Sequence, residues 1–297
     1  MNGNEKKGYL FVFFTGVFFS AEVIGFKEIF RVTNLPPEIA ALFGVGGCFL
    51  FLLPFFIANK KRRENTILTF KRDGRILIIG TISNAIGIVL YYYALKKSDL
   101  GPSAILIKTT VLYNVMLGYF LLGERLRPIE TFGICLAIFG IYQISSLDGQ
   151  ISFFSSACIL LSALFFAIQS FLIKKYVPNI LGIEYAFLRL FLLTIFFTFY
   201  SISISSFKIP NYSTILTLSS FSFLGYFLGR AFYFEAHNYL TISKLNATLL
   251  IEPICLLFIG MVFLNEPWDL KKIFGGGLIL LGLYLIVFYR PKVKSQA

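Results

Sequence analysis

The chain has 297 residues, of which 57% are hydrophobic and only 14% charged, with a mean hydropathy of +0.78. A soluble domain carries about 25% charged residues and less apolar side chain. A cytosolic enzyme, a secreted disulfide scaffold and a disordered chain are therefore excluded. The expected fold is all-α, a polytopic membrane protein with lipid as its solvent.

A helix crosses the hydrocarbon layer in about 20 apolar residues, and this length accommodates about ten such spans joined by short loops. The apolar runs are continuous, without the sustained period of two that a β-barrel needs. In chain order the expected spans are 8–27, 37–57, 75–95, 103–121, 128–147, 151–173, 182–204, 214–236, 243–264 and 270–289. Breaks fall at Leu35-Pro36-Pro37, at the polar insert from Asn59 to Arg75, and at Asp99, Gly101 and Pro102. Further breaks fall at Gly123 to Pro128, Pro178-Asn179, Pro210-Asn211 and Asn265 to Asp269. Lys6 and Lys7 precede the first run, but that run outlasts a signal core and no small-residue cleavage site follows. It reads as an uncleaved first span.

Basic residues set the orientation. With a cytoplasmic N-terminus, the inside collects Lys6, Lys7, the cluster from Lys60 to Arg75, Arg125, Arg127, Lys174, Lys175, Lys244, Arg290, Lys292 and Lys294. The outside holds the smaller set Lys27, Arg31, Lys96, Lys97, Lys208, Lys271 and Lys272. Both termini are expected in the cytoplasm, in a bacterial inner membrane. The net charge of +12 then follows from topology and calls for no nucleic-acid partner. The Asn59–Arg75 cluster also suits contact with anionic lipid.

Shifting the sequence by 142 residues superimposes it on itself. Gly87, Tyr91 and Ala94 match Gly229, Tyr233 and Ala236; Gly118, Leu122 and Glu124 match Gly260, Leu264 and Glu266. Phe132, Gly133, Leu136, Gly140 and Tyr142 match Phe274, Gly275, Leu278, Gly282 and Tyr284. Five spans per copy is an odd number, so the second copy crosses the membrane in the opposite sense. Two inverted-topology five-helix repeats are expected, over 1–148 and 149–297, an architecture common in secondary transporters.

The pattern Leu121-Leu122-Gly123-Glu124-Arg125-Leu126, followed by Gly133 and Gly140, resembles the end of the fourth span in the drug/metabolite transporter superfamily, EamA type. Glu252-Pro253, Gly260, Leu264-Asn265-Glu266-Pro267 and Gly275-Gly276-Gly277 are similar to the ninth span and its exit in the same family. The resemblance implies a ten-helix secondary transporter in which the fourth and ninth spans face each other across a central cavity. The chain departs from the pattern in having Val111 where the second copy has Pro253, and in carrying Lys108 and Arg189.

Charge near the bilayer centre costs about 2.5–3.5 kcal/mol unless a partner or a cavity receives it. The span positions that bear this cost are Glu22, Lys108, Arg189, Arg230 and Glu252. Lys108, with Arg230, suits an anionic group such as a carboxylate; Glu22 or Glu252 suits an ammonium or a proton. Asn84, Tyr91, Tyr92, Thr110, Tyr113, Asn114, Gln169 and Asn246 offer neutral contacts. The competing structural reading is internal ion pairing, Glu22 with Lys108 or Glu184 with Arg189. Glu124 and Glu266 read as structural, each capping or tying the turn into the next span.

Gly275-Gly276-Gly277 lacks the Lys-Ser/Thr of a phosphate loop and reads as a close helix contact. Cys48, Cys135, Cys158 and Cys255 read as packing residues, and the single His237 cannot build a His-rich metal site. No cofactor or metal is expected. The function expected is alternating-access transport of small polar or amphiphilic metabolites, amino acids or related amines first, and not catalysis. A flippase for lipids or lipid-linked sugars is the alternative. The partners are a small-molecule substrate and membrane lipid, with proton coupling and a homodimer as further candidates.

Overall fold

In the computed structural model the described residues are 3–122, 128–145, 152–177, 182–204, 207–236, 239–240, 249, 251–266 and 269–288. Every regular element among them is helical. They are α1 (Gly3–Val32), α2 (Pro37–Ala58), α3 (Lys60–Lys97), α4 (Leu100–Leu106), a 3₁₀ turn (Ile107–Thr109), α5 (Thr110–Leu122) and α6 (Pro128–Ser145). Then come α7 (Phe153–Tyr176), α8 (Gly182–Ser203), α9 (Tyr212–Ser222), a π-helical segment (Phe223–Gly229), α10 (Arg230–Ala236), α11 (Ile251–Phe263) and α12 (Leu270–Phe288).

Seven helical stretches are long and apolar enough to cross a membrane: Lys6–Val32, Pro37–Ala58, Lys60–Lys97, Leu100–Leu121, Phe153–Ile173, Ile183–Ser203 and Tyr212–Tyr233. The chain is an integral membrane protein. Of the ten expected spans, α6 and α12 hold shorter apolar stretches, Thr131–Gln143 and Ile273–Leu285. The ninth is described only over α11.

The polar insert from Asn59 to Arg75 is no loop. It forms the first part of the 38-residue α3, about 57 Å of helix at about 1.5 Å per residue. Its Lys, Arg and Glu are good helix formers and no proline interrupts them. The Asn59 side chain caps it by accepting from the Arg62 amide at 3.1 Å. Pro37 opens α2 at a position where a missing N–H costs nothing, and Ser152 caps α7 by accepting from the Ser155 amide at 3.1 Å.

Small residues bring the helices together, and the contacts are reciprocal. A Cβ on Gly140 would come within 2.6 Å of the Gly275 carbonyl oxygen and 2.8 Å of the Ile279 backbone. One on Gly282 would strike the Gly133 carbonyl oxygen and the Ala137 backbone. Numbers rise along α6 as they fall along α12, so these two helices run antiparallel. The same exchange relates Gly87, which meets the Phe166 ring of α7, and Gly229, which meets the Phe19 ring of α1. Likewise α3 packs on α7, while α1 packs on the π-helical segment and α10. Gly276 of the triple glycine receives Ile105, whereas Gly277 faces open space. Cys48 and Cys158 are buried as expected, but Cys135 is exposed, on the face of α6 turned away from the core.

Gly140→Ala and Gly282→Ala should each destabilise the protein by about 1–3 kcal/mol, because backbone atoms have to yield. Gly277→Ala, with nothing to strike, should be neutral or stabilising by up to about 1 kcal/mol. Melting curves of the three variants in detergent check this contrast.

Candidate functional site

The fourth span is interrupted where its charge lies. Between α4 and α5 the chain tightens into the 3₁₀ turn Ile107–Thr109, with Lys108 at its centre. Two hydroxyls favour the tight turn: Thr109 donates to the Leu106 carbonyl at 2.8 Å and Thr110 to the Ile107 carbonyl at 2.7 Å. From this break the Lys108 ammonium reaches Glu252 of α11 at 2.9 Å. The carboxylate is only 6% exposed and the lysine 18%. Gly101 meanwhile lies against Leu257, so α4–α5 and α11 also run antiparallel. Neither ion pair foreseen from sequence is present among the described residues. Lys108 binds Glu252 and not Glu22, while Glu184 accepts from the Asn65 amide group at 3.4 Å.

A second set of polar groups adjoins the pair. Glu22 of α1 accepts from the Tyr92 hydroxyl at 3.2 Å, and Tyr92 shares a 2.9 Å hydrogen bond with Tyr226. The Glu22 carboxylate rests on the backbone of the π-helical segment, where a Cβ on Gly225 would collide with it. Arg189 of α8 is 2% exposed. Its guanidinium lies 5.1 Å from the Tyr226 ring centre, and its Nη1 donates to Asn84 Oδ1 at 3.1 Å. Arg189 Nε and Nη2, and the Asn84 amide nitrogen, have no hydrogen-bond partner among the described residues. The Arg230 guanidinium sits 5.2 Å from the Phe19 ring. Arg189, Arg230 and Glu252 all lie in Coulomb range of Glu22, and Tyr91 is buried in range of both carboxylates.

Seven of the contacts proposed from sequence, Glu22, Asn84, Tyr91, Tyr92, Lys108, Arg230 and Glu252, thus gather in one region. Gln169 is one step removed and donates to the Tyr185 hydroxyl at 2.5 Å. Thr110 is spent on its own turn, and Tyr113 packs, half-buried, against the apolar core. Asn246 lies outside the described residues. Two expectations need correction. Lys108 does not stand ready for an anion beside Arg230, because Glu252 occupies it. Arg189 and Tyr226, which were not among the proposed contacts, stand at the centre of the cluster.

Glu266 also departs from expectation. It is a cap, but of a helix other than the one that follows it, accepting from the backbone amides of Leu100 and, at 3.3 Å, Gly101. Asn265, at a φ of 54°, turns the chain so that Glu266 folds back over Gly260. The carboxylate therefore caps α4 in the other half of the chain. Burial pushes its carboxyl above the usual carboxylate range, and the two amides act in the opposite direction. Beside it, Lys27 donates to the carbonyls of Leu95 at 3.0 Å and Ser98 at 2.5 Å. The ends of α1, α3 and α11 are thus fastened to the start of α4. Glu124, the matching residue, lies outside the described residues.

A family model described as the EamA-like transporter family matches residues 6–146 and again 154–288. An uncharacterized transporter of Clostridium kluyveri is 20% identical over 98% of this chain and 96% of its own length. The uncharacterized transporter YoaV of Bacillus subtilis is 24% identical over 88% of this chain and 91% of its own. One from Archaeoglobus fulgidus is 27% identical over 68% and 74%. A crystal structure superimposes with a TM-score of 0.65, covering 94% of this chain and 96% of that one, at 12% identity. At that identity the likeness speaks for the fold alone.

Breaking a buried pair strands a charge and typically costs about 3–5 kcal/mol, whereas replacing both partners by apolar residues costs far less. Lys108→Met and Glu252→Met should each lower the melting temperature strongly. The double variant should recover most of the loss, and a thermodynamic cycle on the purified protein measures the coupling.

Proposed function

The chain belongs to the EamA-like transporter family, and we propose that it is a secondary active transporter of small polar or amphiphilic metabolites, working by alternating access. The observation that carries this reading is the buried Lys108–Glu252 pair, which joins the fourth and ninth spans at a helix break beside further charged and tyrosine side chains. A charge cluster of this kind is costly in lipid and marks substrate or ion pathways. Discontinuous helices near the bilayer midplane are a common site architecture in such carriers.

Two inverted five-helix repeats, over 1–148 and 149–297, are part of the proposal. The double family match, the antiparallel contacts of α6 with α12 and of α4–α5 with α11, and the exchanged Gly87 and Gly229 contacts all support it. So does the sequence repeat at 142 residues. Rocking one repeat against the other would open the cluster to each side in turn. The basic residues favour an inner-membrane orientation with both termini in the cytoplasm. Amino acids or related amines are the first substrate class, because acidic and basic groups meet in the cluster. Glu22 is the candidate for proton coupling, since it rests on the π-helical segment and pairs with a tyrosine instead of a cation.

The test is counterflow of a labelled metabolite panel in proteoliposomes. Wild-type protein should exchange at least one small polar compound. The Lys108→Met/Glu252→Met double variant should insert and fold but lose most of the flux, at least tenfold. Wild-type flux in that variant, with both charges gone, would remove the pair from the mechanism. Coupling is read from the same vesicles: an imposed pH gradient should accelerate uptake in wild type and leave Glu22→Gln indifferent.

A further inference from the structure

We infer that Arg189 is the receptor for a substrate carboxylate, an inference that rests on the transporter reading above and narrows its substrate class. A guanidinium has five N–H bonds in a fixed planar fork. One edge of the Arg189 fork is occupied, since Nη1 donates to Asn84 Oδ1 and the face lies over the Tyr226 ring. The Nε and Nη2 donors have no hydrogen-bond partner among the described residues, although the side chain is only 2% exposed. Those two nitrogens make up the side-on edge of the group, whose parallel N–H bonds match the two oxygens of a carboxylate.

Leaving such donors buried without acceptors is expensive, more so for a charged group than a neutral one. A residue is kept in that state when another molecule completes it. The Asn84 amide nitrogen, held next to the guanidinium and likewise without an acceptor, is a third donor for the same anion.

The local charge agrees. Lys108 and Glu252 neutralise each other. Glu22 lies in Coulomb range of both Arg189 and Arg230, yet among the described residues Arg189 donates to Asn84 and forms no ion pair with that carboxylate. The region is left with an excess of positive charge, which an anionic group offsets and an amine aggravates. Related amines, admitted by the broader reading, are therefore excluded as substrates, and compounds with a free carboxylate remain. Where the substrate is an amino acid, Glu22 is the group placed to take its ammonium.

Full-length protein in detergent, melted with the standard amino acids, their methyl esters and their N-acetyl derivatives, tests the assignment. Acids should raise the melting temperature of wild type, and the matching esters should bind at least tenfold more weakly. Arg189→Lys keeps the charge but not the fork and should weaken acid binding at least tenfold. Its elution profile and unliganded melting curve check that it has folded, and if it has not, the acid–ester comparison in wild type decides alone. Equal binding of the N-acetyl derivatives supports the site and assigns it to carboxylates in general. Weaker binding supports it and assigns it to amino acids, in which case Glu22→Gln should abolish that distinction. Esters binding as well as acids, acids binding equally to Arg189→Lys, or no acid binding at all would overturn the assignment. Vesicle flux separates the two proposals: transport of esters or amines leaves the carrier standing without the carboxylate site, and acid binding without flux of any compound does the reverse.

Discussion

A charge set among fatty acyl chains has to find its counter-charge within the protein, and in this chain the two partners come from opposite halves. Lys108 belongs to the turn between α4 and α5 and Glu252 to α11, 144 residues apart. Neither half can bury its own charge without the other, so the electrostatic requirement does what hydrophobic packing does in a soluble core. Lipid tails are as apolar as leucine, and helix association in a bilayer falls to close packing and polar contacts. The break at Ile107–Thr109 lets Lys108 leave the regular helix track to meet Glu252. The hydroxyls of Thr109 and Thr110 add hydrogen bonds to the Leu106 and Ile107 carbonyls at this turn.

Around that pair the glycines do the close work. Gly140 and Gly282 bring α6 and α12 near enough for each to touch the other's backbone, while Gly225 gives Glu22 a seat on the π-helical segment. Glu266 adds a third kind of join, a carboxylate from one half placed on the amides that begin a helix in the other. Lys27 completes the cluster by holding the last carbonyls of α3. The Glu266 join and the Lys108–Glu252 pair both link α4–α5 with α11 and the turn that follows it.

Much of this was legible in the residues. Composition alone identified lipid as the solvent, and the repeated glycines and glutamates marked the corresponding positions of the two halves. Glu22, Lys108 and Glu252 stood out because charge is costly at their depth. What stayed hidden was pairing, since a single sequence carries no distance between Lys108 and its two candidate carboxylates. The helix through Lys60–Arg75 was missed because a basic run looks like a loop when only hydropathy is weighed, though its helix formers and the Asn59 cap were there to read. Arg189 was noticed as a departure from the repeat, but its importance depends on which donors are used up, and only coordinates give that. Tyr226 looked like one more aromatic in a chain with 16 tyrosines.

The scaffold and its chemistry obey different symmetry. In the 142-residue register Asn84 corresponds to Tyr226, and Arg189 is held between these two positions, with one supplying an acceptor and the other a ring face. Arg189 itself corresponds to Gly47, Lys108 to Leu250 and Glu252 to Thr110. The glycine contacts, which carry no charge, are free to repeat. The packing motif thus recurs in both halves while every charged residue of the cluster occurs once, and the substrate chemistry has to be read from the positions where the repeat fails.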